Sequence, residues 1–476
     1  MNKNFMVYMI SLLAFSLITT IGLSSFHTRG EAREALVVQS MYSRGNLVLP
    51  RAYNDAIPSK PPLFHWMSTA ISHLMGSLNE YTIRLPSLLL SLCTLIFFMV
   101  ALKAHLSNRA QAYFLLLLPF SFEWLRASLA ARVDMVHSAC LSCGLLCAFL
   151  ALEKNNLRFW FANILLIGLA TLGKGPVAIL IPAIILGVWV FISRQRLGLL
   201  RPSLNVIVGL AISAMIALSW YVLAYLEAPK EFIEKTWYEN VDRFVGAMAD
   251  QPHQHTALYI IVMLLVGTLP WSPLIIWLLS TRLPASRQGL WKLWNKLEPL
   301  EKYSILCVTI IIIFYSIPGS KRGVYLLAAY PFLFYLTALA ADKNLRLKPV
   351  SINRIFYSFL FTVLIGQTVL EPFLASKWTE KSLAIEVKKH MSNNEKIYSF
   401  GYEFYAASYY MNKTFLRLED TVPEKLKAFE QGFLILRSRD AEKLQLFLKE
   451  KHLAVRKVTE EDLGTEKAIL AKIYLN

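Results

Sequence analysis

The sequence is poor in charge. Only 17% of its 476 residues are Asp, Glu, Lys or Arg, against 55% hydrophobic residues, and the mean hydropathy is +0.45. A soluble chain of this length needs more polar surface. Acids are scarcer than bases, 32 against 49, so the formal net charge is +17. Such a balance can mark a nucleic-acid partner, but no RNA- or DNA-binding motif accompanies it, and no nucleic acid is expected. Basic loops on the cytoplasmic side of a membrane account for it instead. Cysteine is also scarce. Cys93, Cys140, Cys143, Cys147 and Cys307 all lie in or beside apolar runs, so the polar segments carry no disulfide framework. The spacing of Cys140, Cys143 and Cys147 places three thiols on one helical face, which suits packing between helices better than a metal. Internal repeats and low-complexity segments are absent.

Apolar runs are what the chain has in plenty. Their lengths, about 17–25 residues, fit membrane spans. The expected fold class is mainly α: a polytopic helical membrane protein of about eleven spans. They lie near residues 6–26, 83–103, 110–122, 134–152, 158–173, 176–193, 203–226, 257–280, 303–317, 324–341 and 353–373. Residues 5–26, with Lys3 ahead of an apolar core, read as a retained first span rather than a cleaved leader. With the N-terminus in the cytoplasm, Lys and Arg are roughly twice as dense in the inner loops as in the outer ones, which supports that orientation. The outer loops then include two long ones, 27–82 and 227–256, and connectors of that length tend to carry function. The last hundred residues alternate strand and helix patterns: KIYSFGY, EFYAASYYM, TFLRLED, PEKLKAFEQ, GFLILRS, AEKLQLFLKEKH, AVRKVTEED and AILAKIYL. They predict a small α/β domain at 376–476, on the outer face of a transmembrane domain at 1–375.

The outer loops hold the residues with chemical potential. Glu31 and Arg33 follow the first span. A carboxylate beside a guanidinium stays ionised, and such a pair can flank a phosphorylated substrate; it can equally start a helix at the water interface. Lys60 precedes two prolines that can start a helix, and it would sit where a lipid phosphate lies, or snorkel there. Asp134 follows Arg132 at the edge of the fourth apolar run, where an acid is costly unless paired or functional. Lys174, Lys321, Arg322 and Tyr325 occupy short outer connections, and the basic ones suit either a substrate phosphate or lipid headgroups. His253 and His255 have the spacing of an extended metal-binding segment, but no acid–His pattern completes a zinc site. Together these loops set basic residues and carboxylates at one membrane face. That combination fits group transfer from a lipid phosphate, whose departure needs positive charge.

At these residues the chain resembles the membrane glycosyltransferases of the GT-C type. The branch is the one holding the lipid A aminoarabinose transferases and the protein O-mannosyltransferase-like proteins (families 39 and 83). The family pattern Asp-Glu-x-Arg falls on GEAR at 30–33, and Glu-Lys-Pro-Pro-Leu on SKPPL at 59–63. Ala-Arg-x-Asp falls on ARVD at 131–134, Lys-Gly-Pro on KGP at 174–176 and Leu-Pro-Trp on LPW at 269–271. A late Ser-Lys…Tyr falls on Ser320, Lys321 and Tyr325.

The resemblance implies transfer of a sugar from polyprenyl phosphate, undecaprenyl phosphate in a bacterium, with inversion. The acceptor would face the periplasm: lipid A, another envelope lipid or glycan, or a protein. It implies Arg33 and Lys60 as ligands of the donor phosphate, Asp134 as an acid of the site beside Glu31, and Tyr325 in the donor pocket. Arg132, Lys174 and Lys321 are further candidate substrate ligands. Two departures stand out. Gly30 replaces the family's first-loop Asp, and Ser59 replaces the acid that in some relatives holds a metal with a histidine matching His255, which argues against a metal. The rival reading from a different class is a transporter or flippase of a polyprenyl-linked sugar.

Overall fold

The structure is a computed structural model that describes residues 3–194, 200–247, 255–282, 284, 286–345, 347–392, 395–419, 432–451, 453–462 and 467–475. Among them, seven helices are long and apolar enough to cross a membrane: Glu80–Ala101, Val133–Lys154, Leu157–Lys174, Arg201–Glu227, Pro299–Ser316, Gly323–Asn344 and Pro349–Trp378. Asn4–Thr20 and Val177–Ile192 are shorter apolar helices. Of the eleven expected spans, those at 6–26 and 176–193 hold these shorter helices, and two more differ. The run 257–280 is broken, because Leu258–Gly267 and Ser272–Thr281 meet at 110° across the Leu-Pro-Trp segment; proline supplies no N–H to continue a helix. The run 110–122 holds the 10-residue helix Asn108–Leu117, with Phe122–Ser128 following a turn. Neither piece has the length of a span.

The chain divides into two compact units. The first comprises Met1–Thr19, Ser59–Phe64 and Leu85–Leu364. Its central helix, Val133–Lys154, is predominantly apolar and buried from Val133 to Ala151, as expected of a helix surrounded by others. Cys140, Cys143 and Cys147 are buried free thiols within it. The rings of Phe149, Trp189 and Tyr303 interlock at centroid distances of 5.0–5.7 Å, and the Tyr303 hydroxyl donates to the Leu145 carbonyl at 2.8 Å. Helix Arg201–Glu227 is the opposite case and is mostly exposed. Its exposed Leu204, Ile207, Met215, Leu218 and Val222 form the kind of apolar surface a membrane covers.

The second unit comprises Thr20–Pro58, His65–Arg84 and Ile365–Asn476. Its core is a five-stranded sheet of β1 (Lys396–Phe400), β2 (Leu416–Arg417), β3 (Gly432–Arg437), β4 (Leu453–Asp462) and β5 (Lys467–Leu475), in the order β2-β1-β3-β5-β4. Strands β2, β1 and β3 are parallel, while β5 runs antiparallel to β3 and β4. β1 and β3 are nearly continuous buried apolar runs, the pattern of strands covered on both faces. The TFLRLED strand is reduced to two paired residues, and the helix expected at PEKLKAFEQ lies outside the described residues. Part of the first long loop folds onto this sheet. Asn54 takes the Phe415 carbonyl with its N–H (2.9 Å) and accepts from the Arg417 N–H with its side chain (3.0 Å). The buried Tyr53 hydroxyl donates to Ser399 at 2.7 Å.

Candidate functional site

In the first unit, charge gathers around Asp134. This residue opens helix Val133–Lys154, where a helix N-terminus favours a carboxylate. Its side chain is only 4% exposed, and Lys174 Nζ reaches Oδ1 at 2.7 Å while Arg132 Nε reaches Oδ2 at 3.1 Å. Lys174 closes helix Leu157–Lys174, where a cation suits the carbonyl end. Its ammonium also lies 4.2 Å from the centre of the Tyr325 ring. Gly175 turns the chain away at φ 106°, ψ −167°. That region is essentially closed to residues with a Cβ, and a Cβ there would lie 3.2 Å from Asn240 Oδ1. The glycine of the Lys-Gly-Pro motif is therefore needed to deliver Lys174 to Asp134.

Lys60 comes to the same neighbourhood from the Pro-Pro turn ahead of helix Leu63–Leu74. Its ammonium pairs with Glu239 at 2.8 Å, and Arg243 reaches the same carboxylate oxygen at 3.1 Å. Burial pushes the Glu239 carboxyl up, but the Lys60 and Arg243 charges outweigh it and hold it below its ordinary value. Lys60 and Arg322 lie within electrostatic reach of Lys174, and Arg322 within reach of Asp134. The loop 318–323 meets the second long loop through a hydrogen bond from Gly319 N–H to the Phe244 carbonyl (3.1 Å). Lys321 is buried and donates to the Pro318 carbonyl of its own turn, so Arg322 rather than Lys321 carries that motif's charge toward Asp134. Five cations, Lys60, Arg132, Lys174, Arg243 and Arg322, thus gather with two carboxylates, Asp134 and Glu239.

Glu31 and Arg33 belong to the second unit. Thr28 caps helix Arg29–Arg44, accepting from the Glu31 N–H, and Gly45 ends it at φ +74°, an αL stop that glycine adopts freely. Glu31 is buried and paired with Arg84, Nε to Oε1 at 2.8 Å and Nη2 to Oε2 at 3.3 Å. Arg84 Nη1 donates further to the carbonyls of Ser24 (2.7 Å) and Ile21 (3.1 Å). Glu31 therefore sits in a buried ion pair. Arg33 is half-exposed and pairs with Glu34, whose other oxygen accepts from His65 Nε2 at 2.9 Å. Burial alone would raise the Glu34 carboxyl; Arg33 and His65 outweigh it and hold it far below the usual carboxylate range. Sequence reasoning missed Arg84, Glu34 and His65 here, and Glu239 and Arg243 in the first unit. Glu239 and Arg243 carried one signal, an i,i+4 acid–base pair inside the charged loop.

His255 is exposed and stacks on Tyr259 with centroids 3.8 Å apart; His253 lies outside the described residues. Among the described residues, no three His, Cys, Asp or Glu side chains converge as metal ligands would. Chemically, an excess of cations around a buried carboxylate suits an anion with dispersed oxygens. Lysine offers point charges and arginine a planar fork.

The chain is similar to known proteins. A family profile described as dolichyl-phosphate-mannose-protein mannosyltransferase matches residues 59–220, the stretch holding Lys60, Arg132, Asp134 and Lys174. The undecaprenyl phosphate-alpha-4-amino-4-deoxy-L-arabinose arabinosyl transferase of Shewanella sediminis is 26% identical over 352 residues, covering 72% of this chain and 61% of that protein. The second such transferase of Proteus mirabilis is 24% identical over 374 residues, covering 75% of this chain and 64% of that protein. The chain thus spans less than two thirds of the length of these curated relatives. The crystal structure of ArnT from Cupriavidus metallidurans bound to undecaprenyl phosphate matches with a TM-score of 0.78 at 17% identity, over 99% of this chain and 98% of that one. The fold is that of the ArnT crystal structure, and the sequence resembles the aminoarabinose transferases.

Proposed function

We propose that this chain is an inner-membrane glycosyltransferase. It moves a sugar from undecaprenyl phosphate to lipid A or another envelope lipid or glycan, on the periplasmic side and with inversion. The observation that carries this reading is the cluster of five cations around Asp134 and Glu239; Lys60, Arg132, Asp134 and Lys174 lie in the motifs that carry the resemblance. The names of the relatives support the donor.

In this reading Lys60, Lys174, Arg132 and Arg322 face the donor phosphate, and Tyr325 lines the pocket beside it. The acceptor oxygen attacks the anomeric carbon from the face opposite the phosphate. The carbon–oxygen bond to phosphate breaks, its electron pair stays on the phosphate oxygen, and the cations neutralise the second negative charge that appears there. Asp134 holds Lys174 and Arg132 in position, and takes the acceptor proton when the acceptor is a hydroxyl. An acceptor phosphate is already ionised and needs no base. By motif alone Arg33 is a further donor ligand, while Glu31, paired with Arg84, acts on structure rather than on the proton.

Purified protein in proteoliposomes, given a labelled polyprenyl-phosphate sugar, tests this. Lys60→Ala, Lys174→Ala and Asp134→Asn are expected to lower transfer about 10²-fold or more, the scale of losing one charge-stabilising donor, with membrane insertion unchanged. Full activity in Asp134→Asn and Lys60→Ala would sink the site. A protein acceptor is the second reading, favoured by the mannosyltransferase profile over residues 59–220. Label recovered in protein rather than in extracted lipid would select it.

A further inference from the structure

The second unit holds a cluster of charged and aromatic groups that the donor chemistry does not use. Its place follows from topology. Strands β2, β1 and β3 are parallel and adjacent in that order. From β1 the chain goes to β2 on one side, then passes to β3 on the other. Open α/β sheets bind ligands outside the carboxyl ends of the strands at such a reversal. Here β1 runs out into Gly401, Tyr402 and Glu403, and β3 into Ser438, Arg439 and Asp440. The two ends touch: Gly401 has φ +70°, and a Cβ there would meet Asp440 Cγ at 2.8 Å.

The side chains at this reversal are of two kinds. The Arg437 guanidinium lies 4.2 Å from the centre of the Tyr402 ring, and Arg29 lies 5.2 Å from it and 5.5 Å from the Tyr405 ring. Glu403 pairs with Arg29 and with Arg417 (3.9 Å), and accepts from the Tyr405 hydroxyl at 2.7 Å. Asp440 pairs with Arg437 at 3.0 Å, and Glu419 accepts from the Gly401 N–H at 2.6 Å. The Arg29 and Arg417 side chains are 54% and 42% exposed, and Glu403 is 24% exposed. A lipid surface or a polyanion is met by cations alone, whereas here carboxylates alternate with them. Saccharide hydroxyls both donate to carboxylates and accept from guanidinium groups. Sugar ring faces stack on tyrosine, and the exposed arginines suit a phosphate substituent. We propose that this cluster at the strand ends binds the saccharide headgroup of the acceptor, a phosphorylated glycan; naming it as the acceptor rests on the transferase reading above.

The test uses the full chain in nanodiscs and a water-soluble phosphorylated glucosamine disaccharide as probe. Arg29→Gln and Tyr402→Ala are expected to weaken probe binding at least 10-fold. They should raise the acceptor KM by a similar factor, leaving kcat and the donor KM unchanged. Tyr402→Phe keeps the ring and should bind like wild type, as should Lys389→Gln, at an exposed side chain paired with Glu386. Wild-type binding by Arg29→Gln and Tyr402→Ala, or no binding by the unaltered chain, overturns the proposal. If Tyr402→Ala fails to fold, Arg29→Gln decides, because that side chain is half in solvent. Probe binding that depends on these residues in a chain with no transfer activity would retain the binding cluster and remove the transferase reading. Transfer with an unmoved acceptor KM would do the reverse.

Discussion

At the residue scale, the clearest physical statement concerns Glu31 and Arg84. Both side chains are almost fully buried, and Arg84 is satisfied by Glu31 together with the Ser24 and Ile21 carbonyls. Removing one member of a buried ion pair leaves a charge without compensation, at a cost of about 3–5 kcal/mol. Arg84→Met is therefore expected to lower the unfolding temperature of the purified protein sharply, and Glu31→Gln combined with it to recover part of the loss. A Glu31→Gln variant of normal stability but without transfer activity would return Glu31 to the chemistry. Gly175→Ala is expected to cost about 1–3 kcal/mol from backbone strain and to reduce transfer by displacing Lys174. The individual partners explain what could be read in advance. Asp134, Arg132 and Lys174 stood out because each lies in a short motif at the end of an apolar run. Glu239 did not, because its contact with Lys60 joins positions 179 residues apart. Nor did Arg84, 53 residues from Glu31 and inside a segment that otherwise reads as span.

At the scale of elements, periodicity and run length located most helices and all five strands. The errors came where backbone geometry, not hydropathy, decides. Leu-Pro-Trp sits in a run hydrophobic enough for one span, yet the chain bends 110° there. The Gly-Lys-Gly-Pro break was visible because a glycine and a proline adjoin. Helix Lys381–His390 carries a prediction of its own. Glu380 precedes it and accepts the Ala407 N–H at 2.8 Å. Burial raises this carboxyl to about 7, with the hydrogen bonds from Ala407 and Ala406 opposing. A raised acid favours the protonated folded form, so this contribution is fully present below the unfolded value near 4.5. It is lost as pH climbs through about 7. The wild-type unfolding temperature should fall relative to Glu380→Gln between pH 4.5 and pH 8. Parallel curves for the two proteins would show that Glu380 does not titrate there.

At the scale of the whole molecule, the density of Lys and Arg sets an orientation that is directly measurable. With the N-terminus in the cytoplasm, a cysteine placed at the exposed Lys389 should react with an impermeant maleimide added outside spheroplasts. One at Lys292 should react only after the membrane is opened; the opposite pattern reverses the orientation. Composition alone established the membrane class, since 55% hydrophobic residues cannot be covered by a chain that is 17% charged. It was silent on the joining of part of the first loop with the C-terminal sheet in one compact unit, because those contacts, Tyr53 to Ser399 and Asn54 to Arg417, link segments without shared periodicity. The central claim is sugar transfer from undecaprenyl phosphate to an envelope acceptor through the Asp134 cluster. Mass spectrometry of lipid A and other envelope lipids, from cells with and without the gene, tests it most directly. The predicted result is a sugar-sized mass lost from lipid A on deletion, restored by the wild-type gene and not by Asp134→Asn. Unchanged lipid A, with no accumulation of polyprenyl-phosphate sugar, would contradict it.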